Sequence, residues 1–409
     1  MNRDIRKLVI VESSCVGADY MGRAAIQAGY QPIYLSSKAG SQGDTRAQMQ
    51  RYTCIECDTS SVETMASALA GVDGIEAAVS FCDTYIMNAV RLAQALSVRG
   101  QPAVLERLKD KWEVQQLILD YSPSTMAFEA NAIPVDEIRQ FVRTRGNVIV
   151  KGRRSSGGLG AKYLTKPAQA DELPQFVQNA GIPNHLAPDL WLAQVAIQGD
   201  LVSLEGFVAQ GEPTFLGFSG RKKVGMSEAM ILFPWDDHVS HKAKARAREA
   251  VTALVRRAGL ASGYFHVEFM MTHDDAFVID ANMGRIGGGG LGQQIALAHG
   301  ITPVALHAHV LNLALEGDAP APNFSRRSKK DTASIMYGIP VKARFHGVQK
   351  PAEFASMNTV ILDEGELVPA MGSDNYAWIG IASGFRTDVE NDVRSLRIET
   401  DRGEFAAAF

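Results

Sequence analysis

Two carboxylates and an amide come close together in the segments His266-Val267-Glu268-Phe269 and Ile279-Asp280-Ala281-Asn282. Val267, Phe269, Met271, Phe277, Ile279 and Ala281 share one parity, and His266, Glu268, Asp280 and Asn282 share the other. Alternate residues of a strand face opposite sides of a sheet, so the region reads as a hairpin with one apolar and one polar face. Odd-numbered residues must then pair with odd-numbered ones. A three-residue loop at His273, Asp274 and Asp275 achieves this. It sets Glu268 directly opposite Asp280, with Asn282 two positions on along the same face. Carboxylates at the ~5 Å Cβ separation of a cross-strand pair repel unless a cation lies between them. Oxygen-only donors of this kind suit Mg²⁺ held jointly with substrate phosphates. The plainer alternative is a solvated polar face.

Two glycine-rich loops flank this chemistry. Val148, Ile149 and Val150 lead into Lys151, then Arg153, Arg154, Ser155, Ser156, Gly157, Gly158 and Gly160. A glycine loop between two strands can fold its N–H groups over phosphate oxygens, with the lysine adding a cation at the strand end. It is not a Walker loop, because the lysine precedes the glycines. The alternative is a basic hairpin turn. After Asn282 come Met283, Gly284, Arg285, Ile286 and four glycines, 287–290. An arginine there can hold a phosphoryl group or carboxylate through two N–H bonds, and a helix N-terminus offers free N–H groups to an anion. The alternative is a helix-entry loop with a surface arginine.

The elements that must position these residues follow from periodicity. Strands are expected at 8–11, 32–35 and 77–81, and helices at 20–28, 61–70 and 85–96. This alternation predicts an open parallel sheet. Its first turn, 12–22, lacks GxGxxG, so no dinucleotide fingerprint is present. Residues 105–145 read as helical with a break at Pro123. Strands are expected at 147–151, 161–164, 191–197 and 202–208, a helix at 242–258 stopped by Gly259, and a helix at 291–297. A proline-containing linker at 317–325 and a basic run, Arg326, Arg327, Lys329 and Lys330, precede short strands and turns at 333–409.

Composition bounds the function. Lys plus Arg is 41 and Asp plus Glu is 45, a net charge of -4, which leaves no broad electrostatic footprint for nucleic acid or anionic membrane. No apolar run approaches the roughly 18 residues of a membrane helix, and the N-terminal apolar stretch is too short for a secretory signal. Four cysteines among 409 residues fit a reducing compartment, the cytoplasm. Cys54 and Cys57 form a lone CxxC, read as structural. The pairs His238/His241 and His307/His309 show no thiolate or carboxylate partner for zinc.

In order and spacing these pieces resemble the ATP-grasp superfamily. They are Asp110-Lys111 on a helix, Ile149-Val150-Lys151 before the glycine loop, and Gln194-Val195-Ala196-Ile197-Gln198-Gly199. His266-Val267-Glu268-Phe269, Ile279-Asp280-Ala281-Asn282 and Arg285 with its glycines complete the set. The resemblance implies an α/β (α+β) chain with an N-terminal open parallel-sheet lobe at 1–105, a helical linker and small lid at 106–195, a mostly antiparallel catalytic lobe at 196–320, and a C-terminal extension at 321–409.

It further implies that Lys111, Lys151, Ser156, Gly157 and Gly158 contact ATP phosphates, and that Gln194 with the backbone at Ala196 and Ile197 reads the adenine. Glu268, Asp280 and Asn282 would hold two Mg²⁺ ions, with Mn²⁺ as substitute. Arg285 would steady an acyl phosphate, and Arg285, Gly288, Gly289 and His266 would face the substrate. His266 or Glu205 would assist loss of the amine proton. Three departures stand out: Asp280 where the family usually has Glu, Arg285 one residue farther from Asn282 than usual, and Gln194 where an acid is usual. Within the superfamily the chain is most similar to bacterial L-amino acid ligases, which make dipeptides from amino acids; a homodimer is the family expectation. The rivals are another ATP-grasp ligase or carboxylase and a module that binds ATP without chemistry.

Overall fold

The computed structural model describes residues 6–38, 40–155, 159–182, 186–325 and 330–409. Leu8, Val9, Ile10 and Val11 are all shut off from solvent. That is the signature of a strand covered on both faces. Their strand, Lys7–Val11, is the centre of a five-stranded parallel sheet. Gln31–Ser36 and Thr53–Glu56 lie on one side, and Ile75–Val79 and Arg99–Gly100 on the other. The sheet grows outward in opposite directions from Lys7–Val11 and Ile75–Val79. The loops after these two strands therefore flank a crevice, the place where open α/β sheets bind ligands.

The second unit is a four-stranded antiparallel sheet, in the segment expected to form the lid, ordered Thr125–Glu129, Leu190–Val195, Val148–Gly152, Lys162–Leu164. Its first strand corrects the helical expectation for 105–145. Helices Lys111–Leu117 and Val135–Arg145 are present, but Thr125–Glu129 pairs with Leu190–Val195 between them. Only Phe128 in that strand is buried, so it carries little period-2 signal.

The third unit is an eight-stranded antiparallel sheet. Its strands run Ala276–Met283, Gly263–Met271, Asp200–Ala209, Glu212–Val224, Ser227–Phe233, Thr332–Tyr337, Gly380–Phe385 and Met357–Val360. On one face Val202, Leu204, Val267 and Phe269 pack against Ala243, Ala247, Val251 and Leu254 of helix His241–Ala258. Ser240 caps that helix by accepting from the N–H of Ala243, and Gly259 ends it at φ 72°, a left-handed conformation that suits glycine. The sheet runs across the boundary drawn at 320/321, because Met230 pairs with Ile335. The C-terminal residues thus extend the large sheet as well as packing on it. They also contain the helix Arg386–Ser395, where only strands and turns were expected; Val389 and Val393 bury one narrow stripe of it. Among the described residues no helix is long and apolar enough to cross a membrane.

The hairpin register is as parity predicted up to the acids. His266 pairs with Asn282, Val267 with Ala281, and Glu268 with Asp280. Beyond them it shifts: Phe269 pairs with Val278 and Met271 with Ala276, leaving Ile279 as a bulge and a four-residue loop, 272–275. The expected odd pairing and three-residue loop therefore fail on the loop side. There Ala276 and Val278 take the core face instead of Phe277 and Ile279. A bulge re-aims backbone groups, and here it turns the Ile279 carbonyl toward Lys151.

Candidate active site

One face of the large sheet carries a polar stripe across four strands. Register places Glu268 opposite Asp280 on one side and Ser203 on the other, and His266 opposite Asn282 and Glu205. Ser219 pairs with Ser203, and Arg221 lies two residues on along the same strand. The opposite face is the apolar one that holds helix His241–Ala258, so period-2 alternation is what gathers this chemistry.

Cations balance the acids. Lys111 Nζ donates to Asp280 Oδ1 at 2.7 Å. Asp110 precedes Lys111 and caps its helix by accepting from the N–H groups of Trp112 and Glu113. Burial works against the Lys111 ammonium, but Asp280, with Asp83 and Glu268, outweighs it and raises its pKa. Lys151 Nζ donates to the Ile279 carbonyl at 2.9 Å; burial, with the neighbouring charge of Lys111, pushes its pKa down to about 8.

His266 bridges two acids, with Nδ1 2.7 Å from Glu205 Oε1 and Nε2 3.2 Å from Glu268 Oε1. Burial alone would depress its pKa; Glu205 and Glu268 overcome this and push it up to about 9. Burial alone would raise Glu268, but the His266 hydrogen bond and the charges of Arg221 and Lys111 hold it well below the usual carboxylate range. Arg221 donates to Glu228 Oε1 at 2.5 Å and to Ser203 Oγ at 3.3 Å, and lies 3.6 Å from Glu268. Glu205 Oε2 is buried without a hydrogen-bond partner.

The other expected residues take these places. Arg285 Nε donates to Asp83 Oδ1 at 2.9 Å, and its Nη1 donates to the Ile286 carbonyl. Burial opposes its charge, but Asp83 first, then Asp280 and Glu268, hold its pKa above the ordinary value. Gln194 is buried in the four-stranded sheet and donates to Thr125 Oγ1 at 3.2 Å. The Ala196 N–H is taken by the Asn147 carbonyl, and Ile197 lies just past the strand, half-buried. Ser156, Gly157 and Gly158 lie outside the described residues. At the foot of that loop, Arg153 and Arg154 both reach Asp110 Oδ2, which ties the loop to the Lys111 helix.

Gly288 lines a small cleft together with Ser14, Phe81, Gly287, Gly290 and His307. Gly289, by contrast, backs onto the sheet: a Cβ there would meet Ile231 Cδ1 at 2.7 Å. This cleft joins the crevice of the parallel sheet to the glycine run. His307 is committed to the Pro303 carbonyl and His309 to the Tyr264 hydroxyl. Among the described residues no group of three His, Cys, Asp or Glu could hold a metal ion.

Glu268, Asp280 and Asn282 form a small oxygen set. It fits Mg²⁺, which takes one or two carboxylates and leaves its other positions to water and phosphate. The Lys111 ammonium on Asp280 shows that the set is already balanced for positive charge. Arg221, Glu228 and Asp83 belong to the same network and were not singled out from sequence. Arg221 opens a run with Lys222 and Lys223 that reads as a solvated charged face, yet its side chain is 6% exposed. Asp83 had one available signal, its place just after a buried strand.

No protein-family model matches this chain, and no curated protein does. Solved structures do match. The L-amino acid ligase of Bacillus licheniformis superposes with a TM-score of 0.71 at 14% identity, covering 96% of this chain and 98% of that one. The phosphoribosylglycinamide synthetase of Anaerococcus prevotii gives 0.68 at 15% identity, covering 97% and 99%. The biotin carboxylase domain of the Hydrogenobacter thermophilus 2-oxoglutarate carboxylase, solved with MgADP, ADP and bicarbonate, gives 0.68 at 14%, covering 99% and 92%. The likeness is one of fold and spans nearly the whole of each chain: this is the ATP-grasp fold.

Proposed function

We propose that this protein is an ATP-dependent ligase that joins the carboxylate of one amino acid to the amine of another through an acyl phosphate, releasing ADP and phosphate. The observation that carries the reading is the convergence of Glu268, Asp280 and Asn282 with Lys111 and Lys151 on one sheet face, beside Arg285 and an open cleft.

In this reading Lys111, Lys151 and the 155–160 loop bind the ATP phosphates, and the hinge at Gln194, Ala196 and Ile197 receives the adenine. Glu268, Asp280 and Asn282 would hold Mg²⁺, two ions in this reading, which would supply positive charge beside the phosphate oxygens. The chain's remaining work is positioning and electrostatics, as phosphoryl transfer demands. Arg285 holds the carboxylate that attacks the γ-phosphate and then the acyl phosphate, and Gly288 offers its amide to a second anionic group. Closure of the lid loop keeps water from the activated acyl group. The amine then attacks the carbonyl and phosphate leaves. His266 orients Glu205 and Glu268 through its contacts at Nδ1 and Nε2. Glu205 Oε2 is the oxygen left open for the amine's proton. The four free cysteines agree with a cytoplasmic enzyme.

The test is an ATP-dependent phosphate-release screen over pairs of the twenty amino acids, with product mass measured. Dipeptide and ADP in equal amounts are expected. Release that requires bicarbonate or a non-amino-acid amine would reassign the enzyme to another ATP-grasp reaction.

A further inference from the structure

The C-terminal residues reach back to the site through a short strap, residues 371–378. It is fastened to the tip of the hairpin formed by Glu212–Val224 and Ser227–Phe233, a two-residue turn at Gly225 and Met226. The Met226 N–H donates to the Gly372 carbonyl at 2.9 Å, and the Gly372 N–H donates to Ser227 Oγ at 3.0 Å. Ser227 Oγ in turn donates to the Asp374 carbonyl, and Trp378 Nε1 donates to the Glu228 carbonyl at 2.7 Å. Gly225 has φ 54°, and a Cβ on it would meet the Gly372 carbonyl oxygen at 2.4 Å, so only glycine lets the two backbones close. Glu228 continues the line inward, through Arg221, to Glu268 and His266.

Three large apolar side chains stand exposed on this fastened unit: Val224, Met226 and Tyr376. Scattered exposed apolar residues are ordinary. These differ in being held by a built joint at the rim of the acid cluster. The Tyr376 ring meets Trp378 edge-on at 5.3 Å. Trp378 in turn is bonded to the Glu228 carbonyl, and the Glu228 side chain meets Arg221 beside the acid cluster.

We propose that the 371–378 strap and the Met226 turn form the outer wall of the amino-acid site, where Tyr376 and Met226 contact an apolar side chain of the substrate. The inference rests on the ligase reading and names its substrate class: an amino acid whose charged end is held at the polar stripe while its apolar side chain lies against the rim.

The test is calorimetric titration of L-leucine and L-aspartate into the full chain loaded with Mg²⁺ and AMP-PNP. Leucine should bind well more tightly than aspartate. Tyr376→Ala and Met226→Ser, both at exposed positions, should each weaken leucine by about tenfold, the loss of roughly one apolar contact. Tyr376→Phe should bind leucine as the parent does, and AMP-PNP affinity should be unchanged throughout. No leucine binding to the parent, unchanged leucine affinity in both truncations, or a parallel loss of AMP-PNP would overturn the proposal. Leucine binding without phosphate release in any pair would defeat the ligase reading and leave the wall assignment standing.

Discussion

Glu12 is shut off from water and Glu268 is half-buried, and they are neutralised in different ways. Glu12 is 1% exposed, at the end of the central parallel strand. Its Oε1 accepts from the Ser37 N–H at 2.6 Å, Ser37 Oγ at 2.8 Å and Thr59 Oγ1 at 2.7 Å, and its Oε2 accepts from Ser36 and Ser41 hydroxyls. These donors are all uncharged: one backbone N–H and four hydroxyls on short side chains. Glu268 meets His266 and Arg221 and faces Lys111, all cationic side chains. A carboxylate saturated by neutral donors holds a loop in place and has no lone pair to lend. A carboxylate balanced by cations sits in a field suited to a negatively charged phosphate nearby. The first arrangement builds the crevice and the second is poised for chemistry.

Three substitutions probe this contrast. Glu268→Gln should lower phosphate release by at least ~10³-fold, because it removes charge where phosphoryl charge is offset. Its thermal midpoint should stay near the parent's; wild-type-like turnover would break the assignment. Lys151→Met should cost nucleotide binding about 2–5 kcal/mol, the range for deleting one partner of a buried charged contact. Calorimetry with AMP-PNP measures this, and an unchanged affinity would return the lysine to a structural role. Glu12→Gln should cost about 1–3 kcal/mol of stability, since an amide N–H₂ would face donors in that cage. Denaturant melts read that loss, with the phosphate-release rate of the folded enzyme within twofold of the parent. A collapse of turnover without loss of stability would erase the distinction between the two acids.

The smallest effect concerns a buried group held neutral. Burial among Tyr264, Phe207 and Phe324 pushes His309 down to about 4, below its ordinary value. Above pH 6.5 both folded and unfolded chains hold it neutral. As the pH falls from about 6.5 to 4 the unfolded chain binds the proton first, so stability declines over that window by up to about one proton's slope. His309→Gln should flatten that part of a stability–pH profile.

The legible parts of the molecule were those written in short-range pattern. Alternation put Glu268, His266, Asp280 and Asn282 on one face, because period-2 parity is a local property; the expected three-residue loop was wrong, and the Ile279 bulge restores Glu268 opposite Asp280. The Ile279 bulge was hidden, since an inserted residue leaves the parity of each half intact and only the neighbouring sheet decides where the ladder slips. Arg221 was hidden for a related reason: Lys222 and Lys223 beside it are exposed, and its burial depends on strands 18 and 45 residues away. Gln194, Lys111 and Lys151 came from family order, and the structure brings the two lysines to the acids from separate elements. Tyr376 and its strap carry no motif, because their placement rests on backbone bonds to a hairpin some 150 residues earlier.

The central claim is that Glu268, Asp280 and Asn282 take a divalent ion together with nucleotide. Electron paramagnetic resonance counting of bound Mn²⁺, with and without AMP-PNP, tests it directly. The parent should bind Mn²⁺ tightly only with AMP-PNP present, up to two ions per chain, and Glu268→Gln should lose that binding while keeping its fold. Equal Mn²⁺ binding by parent and variant, or binding indifferent to the nucleotide, would contradict the account.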